Sequence, residues 1–349
     1  MPWSVSSGEG GSLYSAYPVI IGISNKSKKE KFIFNEGRQK SVTEINPYLI
    51  EGATIYINSK GKPFGNFPEM KGGNVAYDSG NLIFTEDEMK SFILKEPDSE
   101  KYFKKCIGGK ELINGEFRFC LWFKDYRLEE IKYLKLVSKR IDNVKEARLN
   151  AKDEGTHKLA LRPHQFRDLN NPDYYIAIPK TSSERRRYIP MDYVDDGSIP
   201  LDSIRIIPDA EPFVFGILNS RMHMIWVDAV SGKLESRLRY SKNISYNTFP
   251  FPEINKKQKE QINLHVFSVL EEREKYSGKT LAQLYDPDKM PKGLKEAHHQ
   301  LDLAIERCYR LKPFESDTER LEYLFKEYEK MINKNTLLEK PKKTRKKKA

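Results

Sequence analysis

Two stretches of the chain hold polar side chains at spacings that chemistry could use. In KTSSERRRYIP (residues 180–190), Lys180, Ser182, Ser183, Arg185, Arg186 and Arg187 follow directly on an apolar run. Hydroxyls and guanidiniums in a loop suit phosphate oxygens, which fix a protein's register on DNA without reading its sequence. A solvated loop is the plain alternative. In LESRLRYS (residues 234–241), Glu235, Arg237 and Arg239 alternate with Leu234, Ser236, Leu238 and Tyr240. The two-residue period of a strand turns Leu234, Leu238 and Tyr240 toward a core and the acid and both arginines outward. Such a face is either ion-paired and exposed or suited to base readout, because arginine donates twice to guanine O6 and N7 while glutamate accepts from cytosine N4. Side by side, Glu235 and Arg237 could read both members of one G·C pair.

Catalytic patterns are weaker. Asn171-Pro172-Asp173-Tyr174 approaches the (N/D)PP(Y/F) loop of amino methyltransferases, but an aspartate replaces the second proline and the tetrapeptide runs into a strand instead of leaving one. The glycines of SSGEGGS (Gly8, Gly10, Gly11) follow no strand, as a cofactor-cradling loop requires. Pro97-Asp98 with Glu130-Ile131-Lys132 can be forced into a PD…(D/E)xK nuclease pattern only by placing core Ile131 at the metal site. His298 and His299 are adjacent on a helix and diverge by about 100°, which disfavours joint ligation. Neither a serine nucleophile elbow nor a phosphate-binding lysine loop is present.

The elements that must position the polar stretches follow from periodicity. YPVIIGIS (17–24) reads as a buried strand, and KFIF, ATIYI and NLIF as short strands between loops. Residues 86–105 suggest two short helices interrupted at Pro97. GEFRFCLWF (115–123) is strand-like. Residues 127–153 read as one long helix whose apolar face is Ile131, Leu134, Val137, Ile141, Val144 and Ala147. Strand-like runs return at 174–179, 187–194, 203–207, 212–217 and 234–241. After TFPFPEI the chain turns helical, near 257–276, 292–311 and 316–334, with Leu294, Ala297, Leu301, Ala304, Ile305 and Cys308 as a buried stripe. The expected fold class is therefore α+β, a mixed-sheet domain followed by a small all-α helical bundle. No solenoid-length repeat is evident.

Composition bounds the rest. The 349 residues, 38% hydrophobic and 11% aromatic, can bury a core of two-domain size. Cys106, Cys120 and Cys308 are too few and scattered for a disulfide framework, which points to a reducing cytoplasm. No apolar run approaches the roughly 20 residues of a membrane span, so no membrane partner is expected. Of the net charge of +11, seven cations lie in KPKKTRKKKA (340–349), leaving +4 for the body. Such a tail adds salt-sensitive, sequence-blind attraction to phosphate or serves solubility alone.

Longer stretches carry a family pattern. YPVIIGISNKSKKEK, NPYLIEG, KYFKKCIGGKELINGEFRFCLW, KTSSERRRYIP, FGILNSRMHMIWVDAVSGKLESRLRYSKNISYNTFPFPE and LYDPDKMPKGLKEAHHQLDLAIERCY closely resemble the C-terminal half of MmeI-like enzymes. These enzymes join restriction endonuclease and adenine methyltransferase activities in one polypeptide. The resemblance covers residues 13–333 and implies the residual end of a methyltransferase domain with its linker (1–35), a DNA target-recognition domain (36–252), a helical C-terminal domain (253–335) and a basic tail (336–349). It implies double-stranded DNA as partner. It also implies a methyltransferase/endonuclease domain, on the same gene or a separate chain, that would hold S-adenosylmethionine, and Mg for cleavage. No cofactor or metal is expected in this chain.

The positions matching Glu235 and Arg237 form a specificity pair in that family: Glu with Arg goes with one orientation of a base pair, Lys with Asp with the other. Arg239 matches a further recognition position, and the segment at Asp202 and Ser203 another. Lys180, Ser183, Arg185 and Arg187 are added as backbone or base contacts on their chemistry alone. The expected function is sequence-specific DNA recognition with catalysis supplied elsewhere. The competing readings are a divergent methyltransferase or nuclease in its own right, and an adaptor whose helical region docks the catalytic domain.

Overall fold

The computed structural model describes residues 21–22, 30–35, 38–52 and 54–338. Of the expected basic tail only 336–338 are described, as the end of a helix, while the SSGEGGS segment and all of the 17–24 strand except Ile21 and Gly22 lie outside the described residues. The chain divides into two compact units, Met1–Thr54 and Ile55–Ala349. In the first, strands β1 (Lys31–Asn35) and β2 (Arg38–Val42) pair antiparallel with Lys31 opposite Val42. The Asn46 side chain then accepts from the backbone N–H of Tyr48 at 2.9 Å, closing the following turn.

The second unit opens with β3 (Lys71–Gly72), β4 (Ile83–Thr85) and α1 (Glu86–Lys95). Thr85 and Glu88 form a capping box on α1, which ends before Pro97 and passes into a 3-10 turn over Pro97–Tyr102. Next come β5 (Phe103–Ile107), α2 (Gly109–Asn114), β6 (Arg118–Leu121), α3 (Leu128–Ile131), α4 (Lys135–Leu149) and α5 (Glu154–Leu159). The single helix expected over 127–153 is thus two. Leu134 is extended, and the Glu96 carboxylate accepts from the N–H groups of Leu136 and Val137 at 2.9 and 3.0 Å, giving α4 a start of its own. Of the expected apolar face, Ile131, Leu134, Val137, Ile141 and Val144 are buried and Ala147 is half-buried.

Strands β7 (Tyr175–Pro179), β8 (Thr181–Ser182), β9 (Asp192–Val194), β10 (Ile199–Pro200) and β11 (Ile204–Pro208) follow. One sheet has the order β10-β5-β6-β4 and a second β3-β11-β7-β9; only the β10–β5 pairing is parallel. Of the ATIYI segment, the described residues 54–57 form no strand.

Residues 212–217, expected as a strand, form α6 (Pro212–Leu218). A short run that is apolar throughout carries no period to separate helix from strand. Here Pro212 opens the helix, and Gly216 lets it close on α8: a Cβ at 216 would fall 2.8 Å from the side chains of both Ile262 and Val266. The chain completes α7 (Arg221–Val230), β12 (Gly232–Leu234), β13 (Arg237–Arg239), α8 (Lys256–Glu274), α9 (Leu281–Leu284), α10 (Lys292–Tyr309) and α11 (Asp317–Leu338). Helices α6 and α10 lie against α8, and α11 against α7. Trp226 of α7 packs its ring on Phe325 and Tyr328 of α11. The fold is α+β with a helical C-terminal region, as expected, and two helices that precede residue 252, α6 and α7, pack against that region.

Candidate nucleic-acid interface

The buried strand β7 delivers Lys180 to the surface. The Lys180 N–H donates to the Ser203 carbonyl at 3.0 Å, and its own carbonyl accepts from Tyr240 N–H at 2.8 Å. β8 then pairs with β13, Ser182 opposite Leu238 and Thr181 opposite Arg239. The polar loop and LESRLRYS are thereby joined in one three-stranded sheet of order β12-β13-β8.

LESRLRYS is not one strand. Gly232 pairs with Arg239, Lys233 with Leu238 and Leu234 with Arg237, which leaves Glu235 and Ser236 as a two-residue hairpin turn. The turn needs a left-handed residue, and Glu235 supplies it at φ +58°, a position more often taken by glycine or asparagine. The expectation that Leu234 faces a core fails, since it is 46% exposed, whereas Leu238 and Tyr240 are buried as the period requires. The turn, and not strand alternation, brings Glu235 Oε2 to 2.8 Å from the Arg237 guanidinium.

The hairpin is anchored by Tyr240, whose hydroxyl meets His223 Nε2 of α7 at 2.8 Å. Burial pushes the His223 imidazole down to about 3, so this anchor is neutral at physiological pH.

Beside the hairpin opens a cleft of about 640 Å³ lined by Lys110, Asn114, Lys180, Ser183, Arg186, Asp202, Ser203, Arg237 and Arg239, among others. Asp202 is the one carboxylate lining it, 3.5 Å from the Lys180 ammonium. Burial pushes the Lys180 ammonium below its usual range; Asp202 opposes this, and Arg205 adds to it. Arg205 is likewise depressed by burial, with Asp202 opposing and Arg239 reinforcing, and Arg186 is depressed by burial. Crowded, partly desolvated cations with one counter-charge favour the entry of an anion.

The sequence-predicted residues divide accordingly. Lys180, Ser183, Asp202, Ser203, Arg237 and Arg239 come together on this cleft, with Glu235 held at its edge by Arg237. The Ser203 hydroxyl is committed to the scaffold: it accepts from the Gly109 N–H at 2.9 Å, and a Cβ on Gly108 would fall 2.4 Å from it. Arg185 points away, to Asp288 at 2.6 Å, and Arg187 faces a separate pocket against α10. Lys110 and Asn114 were not anticipated. They arrive through α2, whose Gly108-Gly109 start signals a close turn but not what the turn faces.

The catalytic decoys occupy structural places. Residues 171–174 lead directly into β7. Glu130 caps α3 by accepting from the Arg127 N–H at 2.6 Å, and Ile131 is buried. His298 is buried and His299 exposed on α10. Among the described residues, no three His, Cys, Asp or Glu side chains are grouped to hold a metal ion, and no helix is long and apolar enough to cross a membrane.

Comparison with known proteins bears on the same segments. The DNA methyltransferase A of Bacillus subtilis (strain 168) is 44% identical over 318 residues, 90% of this chain and 36% of that protein. The solved structure of the type IIL restriction-modification enzyme MmeI in complex with DNA superposes with a TM-score of 0.83 at 40% identity, covering 88% of this chain and 42% of that one. The chain thus spans well under half the length of these relatives. The family model for the MmeI target recognition domain matches residues 51–253 and that for the MmeI C-terminal domain residues 254–336. The chain belongs to the MmeI family, whose target-recognition and C-terminal domains it carries.

Proposed function

We propose that this chain reads the base sequence of double-stranded DNA for a restriction-modification enzyme, in the cytoplasm, with methyl transfer and cleavage carried by domains outside residues 51–336. The observation that carries the reading is the Glu235–Arg237 pair, set 2.8 Å apart at the tip of a hairpin whose base lines a cationic cleft. An acceptor and a fork of donors held side by side match the two exposed edges of a G·C pair in the major groove. Arg239, two residues along β13 from Arg237, and Lys180 and Asp202, which line the same cleft, are the next candidates for base edges; Ser183 and Arg186 suit phosphate oxygens. Ser203 acts through position, locking the 201–203 segment on α2. Arg185, paired with Asp288, has a weaker claim to a DNA contact.

In such an enzyme S-adenosylmethionine supplies the methyl group and Mg serves cleavage. Both are assigned in this reading to domains outside residues 51–336, the range the target recognition and C-terminal domains match. The test is selection of the purified chain on randomised duplexes at moderate salt. Enrichment of one short motif is expected, and equal retention of all sequences would refute base readout. Methyl transfer by the chain alone, given S-adenosylmethionine and mixed DNA, would refute the assignment of catalysis elsewhere.

A further inference from the structure

The loop that follows β8 turns two successive arginines to two different places. Arg186 lines the cleft beside Arg237, whereas Arg187 lines a pocket of about 270 Å³ formed with Tyr188 and with Lys292, Lys295, Glu296 and His299 of α10. Adjacent Cα atoms are about 3.8 Å apart, so the two arginines leave the backbone from neighbouring points. Lys292, Lys295 and His299 are exposed, and neither lysine has an ion-pair partner among the described residues. Glu296 is the one acid lining the pocket.

The pocket is held in shape from beneath. Tyr188, next to Arg187, stacks on His298, next to His299, with ring centroids 4.1 Å apart and planes 21° apart. The Tyr188 hydroxyl donates to Asp302 at 2.7 Å, and the Tyr285 hydroxyl meets His298 at 2.9 Å. These buried residues fix the loop backbone against α10, so the loop has little freedom of its own to lose when an anion binds.

We infer that the α10 pocket is a second DNA contact, in which Arg187, Lys292 and Lys295 grip backbone phosphates flanking the bases read at the hairpin, so that the C-terminal domain binds DNA directly. The inference rests on the DNA reading proposed above. It requires no base contact from α10, because phosphate contacts set register and affinity without adding sequence information.

The test is a salt titration of DNA binding by the full chain and by the Lys292→Ala/Lys295→Ala variant, with Lys95→Ala/Lys139→Ala, on α1 and α4, as a charge-matched control. Each lost phosphate contact lowers the slope of log K against log salt by about 0.9. The α10 variant is expected to lose a slope of about 1 to 2 and roughly tenfold or more in affinity at low salt, with its preferred sequence unchanged. The control is expected to keep the full slope. An α10 variant that binds like the parent, or a control that loses as much, overturns the pocket while leaving the DNA reading intact. Absence of DNA binding by the parent chain overturns both.

Discussion

The Arg237 guanidinium lies 2.8 Å from the Glu235 carboxylate across the end of a hairpin, not along one face of a strand. Both side chains are about half exposed or more, at 47% and 69%. In that setting the ion pair contributes at most about 1 kcal/mol to folding. The pair can therefore be exchanged without unfolding the protein, and stability does not account for an acid and an arginine at a left-handed turn.

Exchanging the charges should exchange the bases. With Glu235→Lys and Arg237→Asp, the donor stands where the acceptor stood, and the preferred base pair at one recognition position should invert. A bidentate base contact discriminates by about 1–3 kcal/mol, so enrichment on randomised duplexes should shift by roughly 10- to 100-fold at that position and nowhere else. If the variant keeps the parent motif, the pair is structural.

Glu235→Gly separates the backbone from the side chain. A non-glycine residue in the left-handed region costs about 1 kcal/mol, which glycine relieves. Unfolding stability should stay level or rise by up to about 1 kcal/mol, while base preference at that position weakens. A variant that is both less stable and equally selective would mean the carboxylate serves the fold.

The hairpin shows where sequence reading stopped. Alternation placed Leu238, Tyr240 and both arginines correctly, because the two-residue period is the same in β13 as in a longer strand. It missed the turn because ES is not a usual turn pair; the left-handed Glu235 carries no local signal. For the same reason 212–217 read as a strand: a run buried on every side has no period, and only the packing of Gly216 on Ile262 and Val266 decides it. Helices with a polar face, such as α8, α10 and α11, were legible. The cleft was legible in part. Lys180, Asp202, Arg237 and Arg239 were named, yet their convergence depends on the pairing of β8 with β13, a long-range fact no short window contains.

Arg148 tests the core beneath the first sheet. Its guanidinium is buried and donates to five carbonyls, those of Ala76, Tyr77, Leu159, Arg162 and Gln165, and burial pushes it down to about 10. Arg148→Met leaves those acceptors without donors and should cost about 3–5 kcal/mol in a urea titration. Lysine has three donors on one atom and cannot span the same five acceptors, so Arg148→Lys should rescue little of it. A loss under about 1 kcal/mol for Met would show that the loops close over the gap.

Removing residues 340–349 takes away seven cations. Affinity for every DNA sequence should fall together and the salt dependence flatten, with the preferred motif unchanged. Selective loss of the cognate sequence would place base contacts in the tail.

Acid should weaken the fold through its buried histidines, with one carboxylate working against them. Burial holds His223 near 3 and His298 well below its ordinary range, so between pH 6.5 and 3 the unfolded chain binds protons that the folded chain refuses. Each such group makes stability fall by about 1.4 kcal/mol per pH unit as pH drops. Asp302 has the opposite sign. Burial pushes it up to about 6, so between pH 6 and about 4 the folded state holds the extra proton and stability rises as pH drops. Over pH 6 to 4.5 one histidine and Asp302 should nearly cancel. His223→Gln should then flatten the decline of unfolding stability with acid by about 1.4 kcal/mol per pH unit, and Asp302→Asn should steepen it by the same amount. Urea titrations at half-unit pH steps measure both slopes; variants that both keep the parent slope would mean these groups titrate as they do in the unfolded chain.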